Sequence, residues 1–109
     1  MTVEAFVKEA QLTVLCMPAP EREVNGAYIG DLLSWVMGKA AADNVWITIM
    51  SNVNIVAVAT LADTACILLA EGVELDKEIL DTASAKGVNI LSSKLSAYEL
   101  ANKISSLNI

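Results

Sequence analysis

The sequence contains no histidine, which removes the commonest general base and the commonest metal ligand among protein side chains. Its two cysteines, Cys16 and Cys66, lie far apart without histidine and form no zinc-binding pattern. Serines are present, but the Gly-x-Ser-x-Gly motif of a serine nucleophile is missing. We therefore predict that the protein has no catalytic residues, no metal site and no cofactor, and that it is not an enzyme.

Positive charge and aromatic side chains are also scarce. Seven basic residues stand against 13 acidic ones, giving a net charge of −6, which argues against nucleic acid or an anionic membrane as a partner. Aromatic residues make up only 5% of the chain, too few to favour platforms on which bases stack. We interpret Trp35 and Trp46 as core or dimer-interface groups.

Signals for export and membrane insertion are likewise missing. The N-terminal segment Met1-Thr2-Val3-Glu4 carries an acid where a signal peptide would carry positive charge. The longest uncharged stretch, Asn44 to Ala62, is interrupted by the polar turn Ser51-Asn52-Val53-Asn54, which a transmembrane helix would not tolerate. We expect a cytoplasmic protein without a membrane partner, and buried free thiols at Cys16 and Cys66, with a disulfide or redox pair as the alternative.

Apolar residues are abundant. They make up 55% of 109 residues, and the mean hydropathy is +0.54, which excludes disorder and predicts one domain over residues 1–109. Because small domains bury a smaller fraction of their surface than large ones, this apolar excess predicts a homodimer.

Strand-like and helix-like runs alternate along the chain. The predicted strands are Leu12–Met17, Glu23–Ile29, Val45–Met50, Ala65–Ala70 and Val88–Leu91. Candidate N-caps at Thr2, Asp31 and Asp76 and the capping box Ser96-Ala97-Tyr98-Glu99 indicate where helices begin. Gly38 and Gly87 indicate where helices end. The run from Asn54 to Ala62 fits either a hairpin strand or a buried helix, since periodicity does not separate the two.

This alternation predicts an α/β domain with a mostly parallel central sheet flanked by helices. Functional groups in such sheets gather beyond the carboxyl ends of the strands. The candidate ligand- or anion-binding residues are therefore Ser51, Asn52, Asn54, Glu71, Gly72, Ser92 and Ser93. For the loop at Ser51 to Asn54, the alternative to anion binding is helix capping. For Glu71-Gly72, the alternative to ligand binding is a turn.

Several segments of the chain together resemble the DRTGG domain family over residues 10 to 105. They are Tyr28–Ser34, Trp46–Ile49, Asn54–Ala59 and Ala83–Glu99, the last containing Gly87-Val88-Asn89-Ile90-Leu91. The resemblance implies an α/β fold similar to the N-terminal domain of HPr kinase and a helix over residues 54–62. The chain departs from the signature that gives the family its name: Ser51-Asn52 stands in place of the acidic-basic pair, and Ala70-Glu71-Gly72 in place of Thr-Gly-Gly.

The resemblance also implies a role. DRTGG domains occur as regulatory modules in phosphotransacetylases and certain pyrophosphatases and as stand-alone proteins, some of them dimeric. Our leading hypothesis is a non-catalytic, homodimeric regulatory or protein-interaction domain, coupled to a metabolic or redox enzyme. The alternative is a sensor that binds a nucleotide or phosphorylated metabolite at the strand-end loops. A phosphotransfer enzyme of the serine-kinase type is the third hypothesis, and it lacks a recognisable phosphate cradle.

Overall fold

Strands and helices alternate along nearly the whole chain in a computed structural model that describes residues 1–109. The strands are β1 (Thr13–Cys16), β2 (Ala27–Ile29), β3 (Val45–Thr48), β4 (Cys66–Leu69) and β5 (Ile90–Ser92). The helices are α1 (Val3–Ala10), α2 (Leu33–Lys39), α3 (Asn54–Ala62), α4 (Lys77–Ala85) and α5 (Ala97–Ser105). None of them combines the length and the apolar character needed to cross a membrane.

The strands form one sheet in the order β1-β5-β4-β3-β2. The pairs β2–β3, β3–β4 and β4–β5 are parallel, and β1 runs antiparallel to β5. The chain therefore moves stepwise across the sheet from β2 to β5, with one helix in each connection. The predicted α/β fold with a mostly parallel sheet is confirmed.

Helices cover both faces of the sheet. Because right-handed crossovers that step in one direction place their helices on one face, α2, α3 and α4 lie together and pack on Trp46, Ile67, Leu69 and Ile90. The opposite face, formed by Val45, Ile47, Leu68 and Leu91, packs on α1 and α5. Neighbouring residues of a strand point to opposite faces, so Trp46 and Ile47 enter different cores and both are fully buried.

Two of the predicted helix boundaries are wrong. Asp31 does not cap α2: Leu32 occupies the N-cap position without a side-chain bond, because the Asp31 carboxylate is bound elsewhere. Gly38 does not end the helix but lies inside α2, which continues to Lys39 and is followed by Ala40 in extended conformation.

The other boundaries agree more closely with prediction. Thr2 caps α1, and both hydrogen bonds of the capping box at Ser96 and Glu99 form. Asp76 occupies the N-cap position of α4 without a side-chain bond. Gly87 follows α4 with a φ of +72°, a conformation that favours glycine at a helix end. Residues 54–62 form a helix, as the family resemblance implies.

Polar side chains fasten the loops at the amino ends of the parallel strands. The side-chain amide of Asn89 donates to the carbonyls of Ala19 and Ala65 and accepts from the Ala19 N–H. Arg22 bonds to Asp43 and Asp63 at 3.1 and 2.7 Å. Burial opposes the charge of Arg22, but these bonds outweigh it and raise the pKa of the guanidinium. These contacts hold together segments that are far apart in sequence.

Both cysteines are free thiols. Cys66 is fully buried, whereas Cys16 is only half-buried. The Cys16 Sγ atom lies 3.4 Å from the Val88 carbonyl oxygen. Burial raises the pKa of both thiols, that of Cys66 to about 12. Since the thiolate is the reactive form, burial lowers the reactivity of Cys66 in the folded protein.

Candidate functional site

The predicted site residues divide into two groups. Gly72, Ser92 and Ser93 line a cleft of about 230 Å³ at the carboxyl ends of β4 and β5. Ser51 and Asn52 in the β3–α3 loop, and Asn54 at the start of α3, do not line this cleft. The exposed Glu71 adjoins the cleft without lining it.

The cleft also contains residues that were not among the predicted ones. Its lining is Thr13, Leu15, Gly72, Val73, Glu74, Ser92, Ser93 and Lys94. Thr13 comes from the first strand and enters the cleft because β1 pairs antiparallel with β5, which sets Thr13 opposite Ser92. Lys94 directly follows the predicted Ser92 and Ser93, so its position in the sequence could have predicted its place in the cleft. No feature of the sequence predicted Thr13.

Tight backbone contacts shape this cleft. Glu71 and Gly72 both have positive φ, +61° and +70°, and the Val73 N–H donates to the Ala70 carbonyl at 3.2 Å, as in a tight turn. The predicted turn at Glu71-Gly72 is thus present. The N–H groups of these two residues donate to the carbonyls of Leu95 and Ser93, so the loop after β4 is fastened to the loop after β5.

Side chains give the cleft its chemistry. A Cβ added to Gly72 would lie 3.8 Å from Lys94 Cγ, so the lysine stem passes close to the turn. Neither Lys94 nor Glu74 takes part in an ion pair within the protein. Hydroxyl groups are supplied by Thr13, Ser92 and Ser93, the last of which accepts from the Leu95 N–H. One ammonium group and several hydroxyls can bind a small anionic group, whereas the Glu74 carboxylate in the same lining opposes it.

The β3–α3 loop is organised differently. Asn52 Oδ1 accepts a hydrogen bond from the Asn54 N–H at 2.9 Å, although the N-cap position of α3 is occupied by Val53, without a side-chain bond. Asp31 Oδ1 accepts from Thr48 Oγ1 at 2.8 Å and from the Ile49 N–H at 3.1 Å. The loops after β2 and β3 are thereby joined.

Exposed apolar side chains lie at this end of β2 and β3, with Ile29 on the sheet face of Ile47 and Trp35 on the side of α2. We call the five of them the apolar patch, and each is between 48% and 58% exposed: Ile29, Leu32, Trp35, Ile49 and Val53. The bond from Asp31 to Ile49 brings the loop of Leu32 beside that of Ile49, and the Trp35 N–H donates to the Leu32 carbonyl. Trp46 is therefore a core residue as predicted, whereas Trp35 is a surface residue.

One charged side chain lies against the patch. Lys39 Nζ lies 4.0 Å from the centroid of the Trp35 ring, within the range of a cation–π contact. That contact covers part of one ring face and leaves more than half of the Trp35 surface open to solvent.

Comparisons with known proteins agree with this architecture. A family model described as the DRTGG domain matches residues 7–107. Among solved structures, the CBS and DRTGG domains of the regulatory region of Clostridium perfringens pyrophosphatase, complexed with the activator diadenosine tetraphosphate, are similar, with a TM-score of 0.75 and 8% identity. The similarity covers 94% of this chain and 45% of that chain, so this chain spans less than half of its length. No curated protein matches the sequence.

Proposed function

Because the chain belongs to the DRTGG domain family, we propose that it is a non-catalytic regulatory domain that acts as a homodimer and controls a metabolic or redox enzyme. In the similar pyrophosphatase, domains that include this fold form the regulatory region of an enzyme. The observation that carries the proposal is the apolar patch, which gives the domain a surface suited to a protein partner.

The size of the patch supports self-association. Half-exposed side chains of these types expose about 500 Å² of apolar surface in total, divided between the two sides of the end of the sheet. A stable interface buries about 800 Å² on each partner, with an apolar core and a polar rim. The patch is thus large enough to form the core of such an interface.

The distribution of charge supports it too. The chain carries a net charge of −6, and acidic surfaces on two copies repel each other. Ile49 and Val53 lie in the segment from Asn44 to Ala62. This segment contains no acidic residue, and acidic residues adjoin it only at its two ends. The charged residues at the patch are Asp31, whose carboxylate accepts two hydrogen bonds within the protein, and Lys39, so each copy brings one acidic and one basic group to the contact.

Sedimentation equilibrium at micromolar concentration tests this proposal. We expect the wild-type protein to sediment as a dimer and Leu32→Asp to sediment as a monomer. Leu32 is 58% exposed and occupies the N-cap position of α2, where aspartate is favoured, so the variant should fold. Tyr98→Asp, in the first turn of α5 and outside the patch, is the matched control and should remain dimeric. A monomeric wild-type protein would overturn the proposal.

A second candidate function is a sensor for a nucleotide or phosphorylated metabolite. It is favoured by the cleft, where Lys94 and the hydroxyls of Thr13, Ser92 and Ser93 surround space near Gly72. A thermal-shift screen with ADP, pyrophosphate and diadenosine tetraphosphate tests it, since a ligand at 100 times its Kd adds about 2.7 kcal/mol of stability. Absence of a shift with all three compounds would contradict this function.

A further inference from the structure

We propose that the exposed edge of β2 pairs antiparallel with β2 of a second copy, so that the two sheets join across a two-fold axis. This inference rests on the proposed homodimer and names the backbone contact that forms it. β2 lies at one end of the strand order and has β3 as its one neighbour in the sheet.

The backbone of β2 has groups available for a partner. The Gly26 carbonyl accepts from the Val45 N–H, and the Gly30 N–H donates to the Ile47 carbonyl. Because alternate residues of a strand direct their backbone groups to the same side, Tyr28 also faces β3. Ala27 and Ile29 then direct their N–H and C=O groups away from the sheet, and these four groups can bind another strand.

The edge is complementary to itself. A two-fold axis at Tyr28 places Ala27 opposite the partner's Ile29, and Ile29 opposite the partner's Ala27. Each of these pairs exchanges two N–H···O bonds in an antiparallel ladder, so the contact contains four. The pairing also sets a large side chain, Ile29, beside a small one, which allows close packing of side chains on neighbouring strands.

The two edges of the sheet differ in how they are protected. At the other edge, the register of β1 against β5 shifts between Val14 and Cys16, and Pro18 follows closely. Bulges, prolines and charged residues are the features that prevent edge strands from pairing. The segment from Asn25 to Gly30 contains no proline and no charged residue, and its register with β3 is regular. β2 is therefore the edge that is free to pair.

The edge continues into the apolar patch. Ile29 belongs to both, and Leu32 and Trp35 follow β2 directly in the chain. In this antiparallel pairing the carboxyl ends of the two β2 strands point in opposite directions, so the patch of each copy lies beside the amino end of the partner's β2. The four backbone bonds set the register of the dimer, and Ile29 adds apolar contact beside the partner's Ala27.

Amide hydrogen exchange of the wild-type protein, measured by NMR above and below the dissociation concentration, tests the inference. In the dimer we expect the exchange of the Ala27 and Ile29 amides to slow by at least about tenfold. We also expect Ile29→Pro, which removes an outward N–H, to abolish the dimer, and Ile29→Thr, which keeps that N–H, to retain it. Proline is tolerated on edge strands, so Ile29→Pro should fold.

The outcomes separate this inference from the proposed function. If the protein dimerises while the Ala27 and Ile29 amides exchange as fast as in the monomer, the edge contact is wrong and the homodimer stands. If Ile29→Pro is folded by circular dichroism and still dimeric, the edge contact is also wrong. If the wild-type protein is monomeric at every concentration, both proposals fail.

Discussion

The carboxylate of Asp31 accepts a hydrogen bond from the Thr48 hydroxyl at 2.8 Å, and Thr48 is almost fully buried. The same carboxylate oxygen accepts from the Ile49 N–H at 3.1 Å. One side chain thus connects the loop after β2 to the end of β3. Since Leu32 and Ile49 flank these bonds, Asp31 also helps to fix the shape of the apolar patch.

Replacing Asp31 by alanine should lower the free energy of unfolding by about 1 to 3 kcal/mol, because a buried hydroxyl loses its charged acceptor. Urea denaturation measures the change. Asp76→Ala is the control, since Asp76 occupies an N-cap position without a side-chain hydrogen bond. Equal losses in the two variants would contradict the role assigned to Asp31.

Asp31 also illustrates what the sequence could not reveal. An aspartate before an apolar run predicts an N-cap, but here a tertiary hydrogen bond to Thr48 uses its carboxylate. Similarly, Thr13 reaches the cleft only because β1 runs antiparallel to β5. Such long-range contacts depend on how strands pair and leave no local pattern.

Local patterns were sufficient for most of the architecture. The β-branched run at Val45 to Thr48 and the capping box at Ser96 predicted a strand and a helix start that are both present. The sequence did not decide whether the segment from Asn54 to Ala62 is a strand or a helix, because its apolar residues are not confined to one helical face. In the structure it buries Ile55, Val56, Val58 and Ala59, which explains the weak periodicity.

Asn89→Leu should destabilise the protein by about 2 to 4 kcal/mol, because three backbone groups lose their partners, one of them buried and two partly buried. Those groups are the N–H and C=O of Ala19 and the C=O of Ala65. Asn102→Leu, on the exposed side of α5, should change stability by less than about 0.5 kcal/mol. Thermal and urea denaturation of both variants measure this difference, and similar values would contradict the assignment.

Stability should fall at alkaline pH because of Cys66. Burial raises the pKa of this thiol from 9.0 to about 12 in the folded protein, and the weaker effect of Arg22 opposes the shift. Between these values the unfolded chain releases a proton that the folded protein keeps, so unfolding becomes easier by about 1.4 kcal/mol per pH unit. Below pH 9 the thiol has no such effect.

Cys66→Ala isolates this contribution. The variant loses stability at neutral pH through the cavity it leaves, but its further decline above pH 9 should be shallower than that of the wild-type protein. Urea denaturation between pH 7 and pH 11 compares the two, with other titrating groups common to both. Parallel pH profiles would contradict the assignment to Cys66.

Lys94→Ala should weaken the binding of anionic ligands in the cleft by about tenfold or more, since a charge-assisted hydrogen bond contributes about 1.5 to 3 kcal/mol. Isothermal titration with pyrophosphate measures the change. Lys86→Ala, at the exposed C-cap of α4 and outside the cleft, should bind as the wild-type protein does. Equal weakening in both variants would indicate a general charge effect instead of a site.

Fluorescence of the tryptophans on dilution tests the proposed homodimer most directly. Trp46 is fully buried and Trp35 is 56% exposed, so dissociation should change the environment of Trp35 alone. We predict that the emission shifts to longer wavelength as the protein is diluted from micromolar to nanomolar concentration, and that Trp35→Phe shows no shift. Wild-type emission that stays constant over this range, with a sedimentation mass of 11.6 kDa, would contradict the account.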